Sequence, residues 1–177
     1  MASKAERTTA CVGIGSNIAP ETNIPAALEL LAGHGPILAL STFYWTPPLG
    51  GPGQPEYLNG VCVTETSRSP RELKFGVLRS IEQRLRRDRS AGKWAPRTID
   101  LDLLLYGDRA VEEPDLVIPD PDIRSRPFLA LSLLEVAPEL IMPDTGLPLA
   151  IEAGSMDREG MKPDEDFSRR LNARFTS

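Results

Sequence analysis

Two aspartates separated by one residue are the side chains of this sequence best placed to do chemistry. Asp100 and Asp102 alternate with apolar residues in the segment 97-RTIDLDLLLYG-107, which predicts a strand. Residues i and i+2 of a strand point to the same side, so both carboxylates lie on one face. Mg²⁺ held by carboxylates and substrate phosphates would relieve their repulsion, and two such ions about 3.5–4 Å apart favour phosphoryl transfer. The alternative is a half-exposed strand with an acidic polar face.

A basic segment directly precedes this strand. Its six cations are Arg84, Arg86, Arg87, Arg89, Lys93 and Arg97. Guanidinium groups pair well with phosphate oxygens, although a solvated basic face that balances an acidic chain is an open alternative. Trp94 lies in the same segment and is either a structural anchor or a stacking surface for a flat ligand.

Hydrophobic periodicity predicts the strands and helices that must position these side chains. Strands are predicted over 9–15, 36–44, 58–66, 98–106 and 116–118, and helices over 24–31, 69–85, 128–136 and 167–175. A capping box formed by Ser69 and Glu72 opens the second helix. The order predicts an α+β fold with a ferredoxin-like βαββαβ core, helices on one face of the sheet, added helices and a short strand pair.

The composition restricts the class of protein. The chain has 177 residues, so we expect a single domain with a core at about 9–145 and a polar C-terminal extension at about 151–177. A net charge of −5 argues against a general nucleic-acid binder. Cys11 and Cys62 are predicted to be buried strand residues, and no apolar stretch approaches the ~20 residues of a membrane span. We therefore expect a cytoplasmic monomer that binds neither nucleic acid nor membrane.

Several separate motifs carry a resemblance to one enzyme family. They are 93-KWAPRTIDLDL-103, Gly15-Ser16-Asn17, 44-YWTPPLG-50 and 54-QPEYLN-59. In order and spacing they resemble the 6-hydroxymethyl-7,8-dihydropterin pyrophosphokinases of folate biosynthesis, over roughly residues 9 to 145. The resemblance implies a ferredoxin-like fold and transfer of the pyrophosphoryl group of ATP to the hydroxymethyl oxygen of the dihydropterin, which leaves AMP.

The resemblance also implies roles for individual residues. Asp100 and Asp102 would hold two Mg²⁺ ions, and Asp102 would help to deprotonate the hydroxyl group. The residues expected to bind ATP, the co-substrate, are Glu82, Arg87, Arg89, Arg97, Ile118, Asp120 and Arg126. The residues expected to bind the pterin are Thr46, Pro47, Leu49, Tyr57, Asn59, Trp94 and Phe128. Loops 50–55 and 84–97 would be mobile lids that exclude water.

Some of these roles have simpler alternatives. Tyr57 and Phe128, the expected pair around the pterin ring, are equally consistent with core packing, and Glu82 with a surface charge on a helix. Asn59 matches the amide that binds the donor and acceptor edge of the pterin.

One position departs from the family pattern. Many members have a histidine after Ile-Pro, whereas this chain has Asp120 after Ile118-Pro119, and its only histidine, His34, lies in a predicted turn. The aspartate is expected to bind a ribose hydroxyl or an arginine such as Arg124 or Arg126.

Other functions remain as alternatives. The first is a nucleotide-binding relative without catalysis, which loss of Asp100, Asp102 or Arg97 would have favoured. A ferredoxin-like RNA-binding module would need a basic sheet face, whereas the key strand is acidic. A sugar-nucleotide transferase that uses the two aspartates has no support elsewhere in the chain.

Overall fold

The computed structural model describes residues 7–49, 53–92 and 94–176. The strands are β1 (Thr8–Ser16), β2 (Ile37–Leu40), β3 (Tyr44–Thr46), β4 (Tyr57–Thr66), β5 (Asp100–Tyr106), β6 (Val111–Glu113), β7 (Leu116–Ile118) and β8 (Lys162–Pro163). The helices are α1 (Pro20–Ala32), α2 (Glu72–Leu78 in π geometry, continuing as Arg79–Arg84 in α geometry), α3 (Pro127–Val136), α4 (Leu149–Glu152) and α5 (Glu165–Phe175). Helices pack on an antiparallel sheet, so the predicted α+β class is confirmed.

The main sheet has β4 at its centre, with β1 beside it. The order is β5–β1–β4–β3–β8, with β2 also paired to β4, and β6 and β7 form a separate hairpin. Val12 and Ile14 of β1 are buried in a cluster that α1, α2 and α5 share, contributing Leu28, Leu78 and Leu171 respectively. This face of the sheet therefore carries the larger core.

The opposite face of the sheet also carries helices, so the prediction of helices on one face was wrong. Leu129 and Leu133 of α3 pack with Val61 of β4 and Leu104 of β5 in a second buried cluster, which Leu149 of α4 joins. The physical reason lies in β4, whose residues are buried on both faces along most of its length. A strand of this kind must be covered from both sides.

The predicted strand 36–44 is divided into β2 and β3. Between them, the backbone N–H of Thr42 donates to Glu135 Oε2 at 2.8 Å, and the N–H of Phe43 donates to Ser168 Oγ at 2.8 Å. Because side chains from α3 and α5 take these donors, the strand ladder is interrupted there. Both short strands still pair with β4.

The predicted capping box and the predicted burial of both cysteines are present in the structure. Ser69 N and Glu72 Oε2 lie 2.8 Å apart, and Glu72 N donates back to Ser69 Oγ at 3.3 Å, so the capping box is present. Cys11 and Cys62 are free and buried, and burial raises the pKa of the Cys11 thiol to about 11. None of the described helices is long and apolar enough to cross a membrane.

The polar C-terminal extension is ordered and docked. β8 pairs with β3, and Phe167 and Leu171 of α5 are buried in the larger core. Asp164 caps α5 by accepting from Phe167 N at 3.1 Å, which explains why the helix begins two residues before the predicted 167–175.

Phe167→Ala tests the docking of α5. The ring of Phe167 is 2% exposed and meets the Phe43 ring edge-on, with centroids 5.7 Å apart. We expect the free energy of unfolding in urea to fall by about 3–5 kcal/mol, the usual cost of a cavity of this size. Phe175→Ala, at a partly buried ring on the same helix, is the matched control and should cost less than half as much. A loss below about 1 kcal/mol for Phe167→Ala would contradict the observed packing.

Candidate active site

A cavity of about 350 Å³ opens on the face of the sheet that carries α3. Its floor is the end of β1, where Gly13 and Gly15 have no side chains to fill the space above the sheet. The sequence-predicted residues that line it are Thr46, Pro47, Leu49, Tyr57, Asn59, Trp94, Arg97, Asp100, Asp102, Arg126 and Phe128. The structure thus brings together residues that are separated by more than 80 positions in the chain.

The two aspartates stand over the glycine floor. Gly13 is opposite Asp102 and Gly15 is opposite Asp100 in the β1–β5 register. Leu101, between them, is buried in the larger core on the other face. The predicted strand geometry is therefore present, with both carboxylates on the cavity side.

Asp100 is neutralised by two arginines. Arg87 Nη1 donates to Asp100 Oδ1 at 2.6 Å, and Arg97 pairs with Asp100 Oδ2. Both guanidinium groups are partly buried, which makes these ion pairs stronger than those of a solvated basic face. The alternative of a purely solvent-facing basic segment is therefore wrong for Arg87 and Arg97.

Glu82 connects the arginines of this network to strand β5. Its side chain is 1% exposed, so it is not a surface charge, and it pairs with both Arg87 and Arg89. Its Oε1 also accepts the backbone N–H of Leu101 at 2.9 Å. One buried carboxylate thus joins the basic loop to the strand of the aspartates. Neither Glu82 nor Arg87 lines the cavity itself.

Asp102 lacks such compensation. Among the described residues, none pairs with its carboxylate at hydrogen-bond or salt-bridge distance. The Asp102 side chain is exposed to the cavity, although protein atoms on its other sides displace part of its hydration. This desolvation, followed by repulsion from Asp100, Asp120 and Glu82, raises the pKa of Asp102 to about 8, against the opposing effect of Arg87.

The donor set fits a divalent cation shared with a ligand. Within the described ranges, no group of three or more His, Cys, Asp or Glu side chains is arranged to hold an ion without other ligands. Two carboxylates, one of them without a partner, match hard cations that take their remaining ligands from phosphate and water.

The other end of the cavity is shaped by Asn59. Its Nδ2 donates to Thr46 Oγ1 at 2.7 Å, which directs Oδ1 over Gly15. A Cβ on Gly15 would lie 2.7 Å from that oxygen, so any larger residue here would displace the Asn59 side chain. Tyr57 and Phe128 are half-buried and line the cavity, which supports a ligand-facing position over simple core packing. Burial is the main cause that raises the pKa of Tyr57.

Ser16 and Asn17 hold the basic loop in place, a role that sequence reasoning missed. Ser16 Oγ donates to Thr98 O at 2.6 Å, and Asn17 Oδ1 accepts the backbone N–H of Arg97 at 2.7 Å. Asn17 Nδ2 also donates to Pro55 O at 3.3 Å. These hydrogen bonds hold one end of each predicted lid, residues 50–55 and residues 84–97, in place. The sequence feature that could have indicated this role is the position of Ser16 and Asn17 directly after Gly15, at the end of a strand.

The structure describes only part of each of the two predicted lids. Residues 50–52 and Lys93 lie outside them. Gln54 Nε2 donates to Trp94 O at 2.5 Å, which links the two loops across the cavity. Trp94 is half-exposed and lines the cavity, which favours the stacking surface over the structural anchor.

Asp120 has a structural partner instead of an arginine. Its Oδ1 accepts Asp122 N at 2.8 Å and caps the 3₁₀ turn Pro121–Arg124, and neither it nor Ile118 lines the cavity. The expected pairing with Arg124 or Arg126 was wrong. Arg124 pairs with Asp144 and Glu152, and Arg126 with Asp122. The Ile118 side chain is buried in the larger core.

Several cavity residues were not predicted. Asp122 and Ser125 precede α3, Gln54 belongs to the loop before β4, and the C-terminal extension contributes Glu159, Gly160 and Met161. The extension has no residue pattern that indicates a ligand, so only the folded chain reveals it.

Comparison with known proteins agrees with this arrangement. The profile of the family described as 7,8-dihydro-6-hydroxymethylpterin-pyrophosphokinase (HPPK) matches residues 11–138. The 2-amino-4-hydroxy-6-hydroxymethyldihydropteridine pyrophosphokinase of Synechocystis is 41% identical over 139 residues, which cover 77% of this chain and 70% of the relative. Its counterpart from Haemophilus influenzae is 36% identical over 140 residues, covering 77% and 86%.

Solved structures share the fold. The HPPK-DHPS A437G/K540E protein of Plasmodium falciparum, solved with pterin and p-hydroxybenzoate, superposes with a TM-score of 0.71 at 12% identity. The match covers 92% of this chain but only 48% of that one, so this chain spans about half of the solved protein.

Asp102→Asn tests the electrostatics of the site in protein free of divalent cations. A folded-state pKa of about 8, above the usual 3.8, means that ionising Asp102 lowers stability. The loss grows as the pH rises from about 4 and is complete above about 8. We therefore expect the melting temperature of the variant to exceed that of the wild type by a margin that widens by a few degrees between about pH 5 and 8.5.

The matched control is Asp108→Asn, at an exposed aspartate just beyond β5. It should show no widening margin. A difference between Asp102→Asn and wild type that stays constant with pH would contradict the raised pKa.

Proposed function

The chain belongs to the 7,8-dihydro-6-hydroxymethylpterin-pyrophosphokinase family, and we propose that it transfers the pyrophosphoryl group of ATP to 6-hydroxymethyl-7,8-dihydropterin in folate biosynthesis. The observation that carries this proposal is one cavity lined by paired carboxylates and arginines as well as by aromatic and amide side chains. Such a cavity suits two ligands bound side by side, an anionic triphosphate and a flat heterocycle.

The reaction is a displacement at the β-phosphorus of ATP. The hydroxymethyl oxygen forms a bond to the β-phosphorus, the bond from that phosphorus to the oxygen bridging the α- and β-phosphates breaks, and AMP departs with the bridging oxygen. The hydroxyl proton passes to a base, and Asp102 on the cavity floor is our candidate. Positioning and electrostatic stabilisation do most of the work in such transfers.

Asp100 and Asp102 are the proposed ligands of two Mg²⁺ ions. When bound, Mg²⁺ neutralises charge that develops on the phosphate oxygens. Asp100 is already paired with Arg87 and Arg97, so we propose that arrival of ATP redistributes these contacts. Arg87 and Arg97 would then pair with the triphosphate, and the carboxylate of Asp100 would be available to hold a metal ion. Glu82 keeps Arg87 and Arg89 beside the site during this exchange.

The heterocycle occupies the other end of the cavity. We propose that Tyr57 and Phe128 flank the ring and that Asn59 recognises its polar edge. Because Asn59 Nδ2 is engaged by Thr46, its Oδ1 is the atom presented over the floor, and it accepts a hydrogen bond from an N–H of the pterin.

The finer structural expectations are also proposals. The antiparallel order β5–β1–β4–β3 supports a ferredoxin-like core, because α1 connects β1 to β2 and α2 connects β4 to β5, each across one intervening strand. The single domain, the monomeric state and the cytoplasmic location stay predictions.

Analysis of the nucleotide products tests the activity. With Mg²⁺, ATP and the dihydropterin, we expect AMP that forms only when the pterin is present. Asp100→Asn and Asp102→Asn should each lower the rate at least 10²-fold, because each loses a carboxylate that we assign to metal, whereas Asp108→Asn should retain wild-type turnover. Production of ADP would contradict pyrophosphoryl transfer. Binding of ATP without turnover would favour the non-catalytic relative.

Gly15→Ala tests the pterin end. The added Cβ would collide with Asn59 Oδ1 at 2.7 Å and displace the atom that we assign to pterin recognition. We expect calorimetry to show pterin affinity reduced about tenfold or more, with binding of a non-hydrolysable ATP analogue less affected. Gly76→Ala, in a helix with no atom within 4 Å of the new Cβ, controls for the substitution and should bind both ligands as wild type does. Equal affinity losses for both ligands in Gly15→Ala would refute this assignment.

A further inference from the structure

The C-terminal extension reaches the cavity through a short segment, residues 157–164, which we call the strap. The family profile matches residues 11–138, so the strap lies beyond the matched residues. It is anchored after residue 164 by α5, whose Phe167 and Leu171 are 2% and 3% exposed. Before residue 157, Ala153 is buried in the smaller cluster and Met156 packs against it. The strap is therefore held at both ends.

Between its anchors, the strap follows the free edge of β3. Lys162 pairs with Trp45, and Pro163 with Tyr44, as an added antiparallel strand. Asp164 extends the contact, because its N–H donates to Phe43 O at 2.8 Å and its Oδ2 accepts Trp45 Nε1 at 3.1 Å. The strap thus covers an edge that would otherwise expose unpaired backbone groups.

Arg158 fastens the start of the strap. Its guanidinium group donates to Tyr44 Oη, lies 5.5 Å from the centroid of the Tyr44 ring and pairs with Glu135 at 3.5 Å. Tyr44 is nearly fully buried and also donates to Glu135. A single side chain therefore connects the strap to both β3 and α3.

Edge protection alone does not explain the turn between Arg158 and Lys162. Here Met161 N donates to Arg158 O at 2.9 Å, and Gly160 takes φ of +76°, a left-handed conformation suited to glycine. The turn brings Gly160 against the Pro47 ring, 3.5 Å from an ideal Cβ position. Glu159, Gly160 and Met161 then line the cavity.

The loop at residues 46–49 needs such support. Thr46 is fixed by pairing with Tyr57 and by Asn59, but Pro47 and Pro48 have no N–H groups with which to hold the chain in place. Leu49 is 62% exposed and gains little from packing. The strap contacts Pro47, which like Pro48 has no N–H with which to donate a backbone hydrogen bond.

We propose that the strap forms a wall of the heterocycle end of the cavity, with Met161 as a specificity-determining residue and Arg158 as a positioning residue that holds the strap against β3. This inference rests on the proposed function. Met161 is half-buried beside the loop, and its flexible, polarisable thioether suits contact with the edge of a flat aromatic ring. The wall acts on the pterin and leaves the carboxylate end, where ATP binds, unchanged.

The test measures the two ligands separately. Met161→Ala should raise the calorimetric Kd for 6-hydroxymethyl-7,8-dihydropterin about five- to tenfold, and leave the Kd for a non-hydrolysable ATP analogue with Mg²⁺ within about twofold. Ile151→Ala, at an apolar side chain of α4 that is 68% exposed and does not line the cavity, is the control and should alter neither Kd.

Arg158→Ala tests positioning by a different readout. Release of the strap should raise the KM for the pterin about three- to tenfold with kcat unchanged, since the reacting groups are untouched. Arg158→Lys keeps the positive charge beside Glu135 and should recover part of the loss. Arg169→Ala removes an exposed arginine of α5 that pairs only with Asp166 among the described residues, and should behave as wild type.

The possible outcomes distinguish a failure of the inference about the strap from a failure of the proposed function. If the wild-type protein forms AMP but the pterin Kd of Met161→Ala lies within about twofold of the wild-type value, the inference about the strap is wrong. The proposed function still stands in that case. A folded wild-type protein that neither binds the pterin nor forms AMP overturns both. Parallel losses of pterin and ATP affinity in Met161→Ala would also contradict the inference, because they indicate a general structural role.

Discussion

Repulsion between two carboxylates on one face of β5 is the constraint on which this site depends. Asp100 is stabilised by Arg87 and Arg97, whereas Asp102 has no such partner among the described residues. Desolvation, followed by repulsion from Asp100 and other carboxylates, raises the pKa of Asp102 and leaves a position that a cation would satisfy. This arrangement supports our proposal that the site takes a ligand together with a divalent cation.

Buried Glu82 makes this arrangement rigid. It accepts the backbone N–H of Leu101 and pairs with Arg87 and Arg89, so the strand and the basic loop share one anchor. Breaking a buried network of this kind leaves uncompensated charge, which is strongly destabilising. The network thus couples the position of the arginines to the position of the aspartates, which a transfer between two bound substrates requires.

One face of the sheet carries the larger core, and the other face carries the cavity beside a smaller buried cluster. Alternate residues of β1, such as Val12 and Ile14, build the larger core, while Gly13 and Gly15 leave space on the other face. Helix α3 covers only part of that second face, through Leu129 and Leu133. The uncovered remainder becomes the cavity, and the C-terminal strap closes one of its sides.

Much of the site was predictable because its signals are local. The alternation around Asp100 and Asp102 determines which face they share, and the capping box at Ser69 determines where α2 begins. Family motifs then brought Asn59, Tyr57 and Phe128 into the same prediction, and all three line the cavity. Periodicity and motif spacing depend on neighbouring residues, so the amino-acid order alone contains them.

What the sequence could not determine depends on contacts between distant segments. Asp120 looked available for an arginine, but it caps the turn that follows, while Arg124 and Arg126 find carboxylates elsewhere. The polar extension showed no ligand pattern, yet it completes a wall of the cavity because β3 has a free edge that β8 can pair with. The sequence by itself determined that Asp100 and Asp102 lie on one strand and share one of its faces. Only the tertiary structure decided which charges are compensated and which segments enclose the cavity, because both follow from long-range packing that no local pattern records.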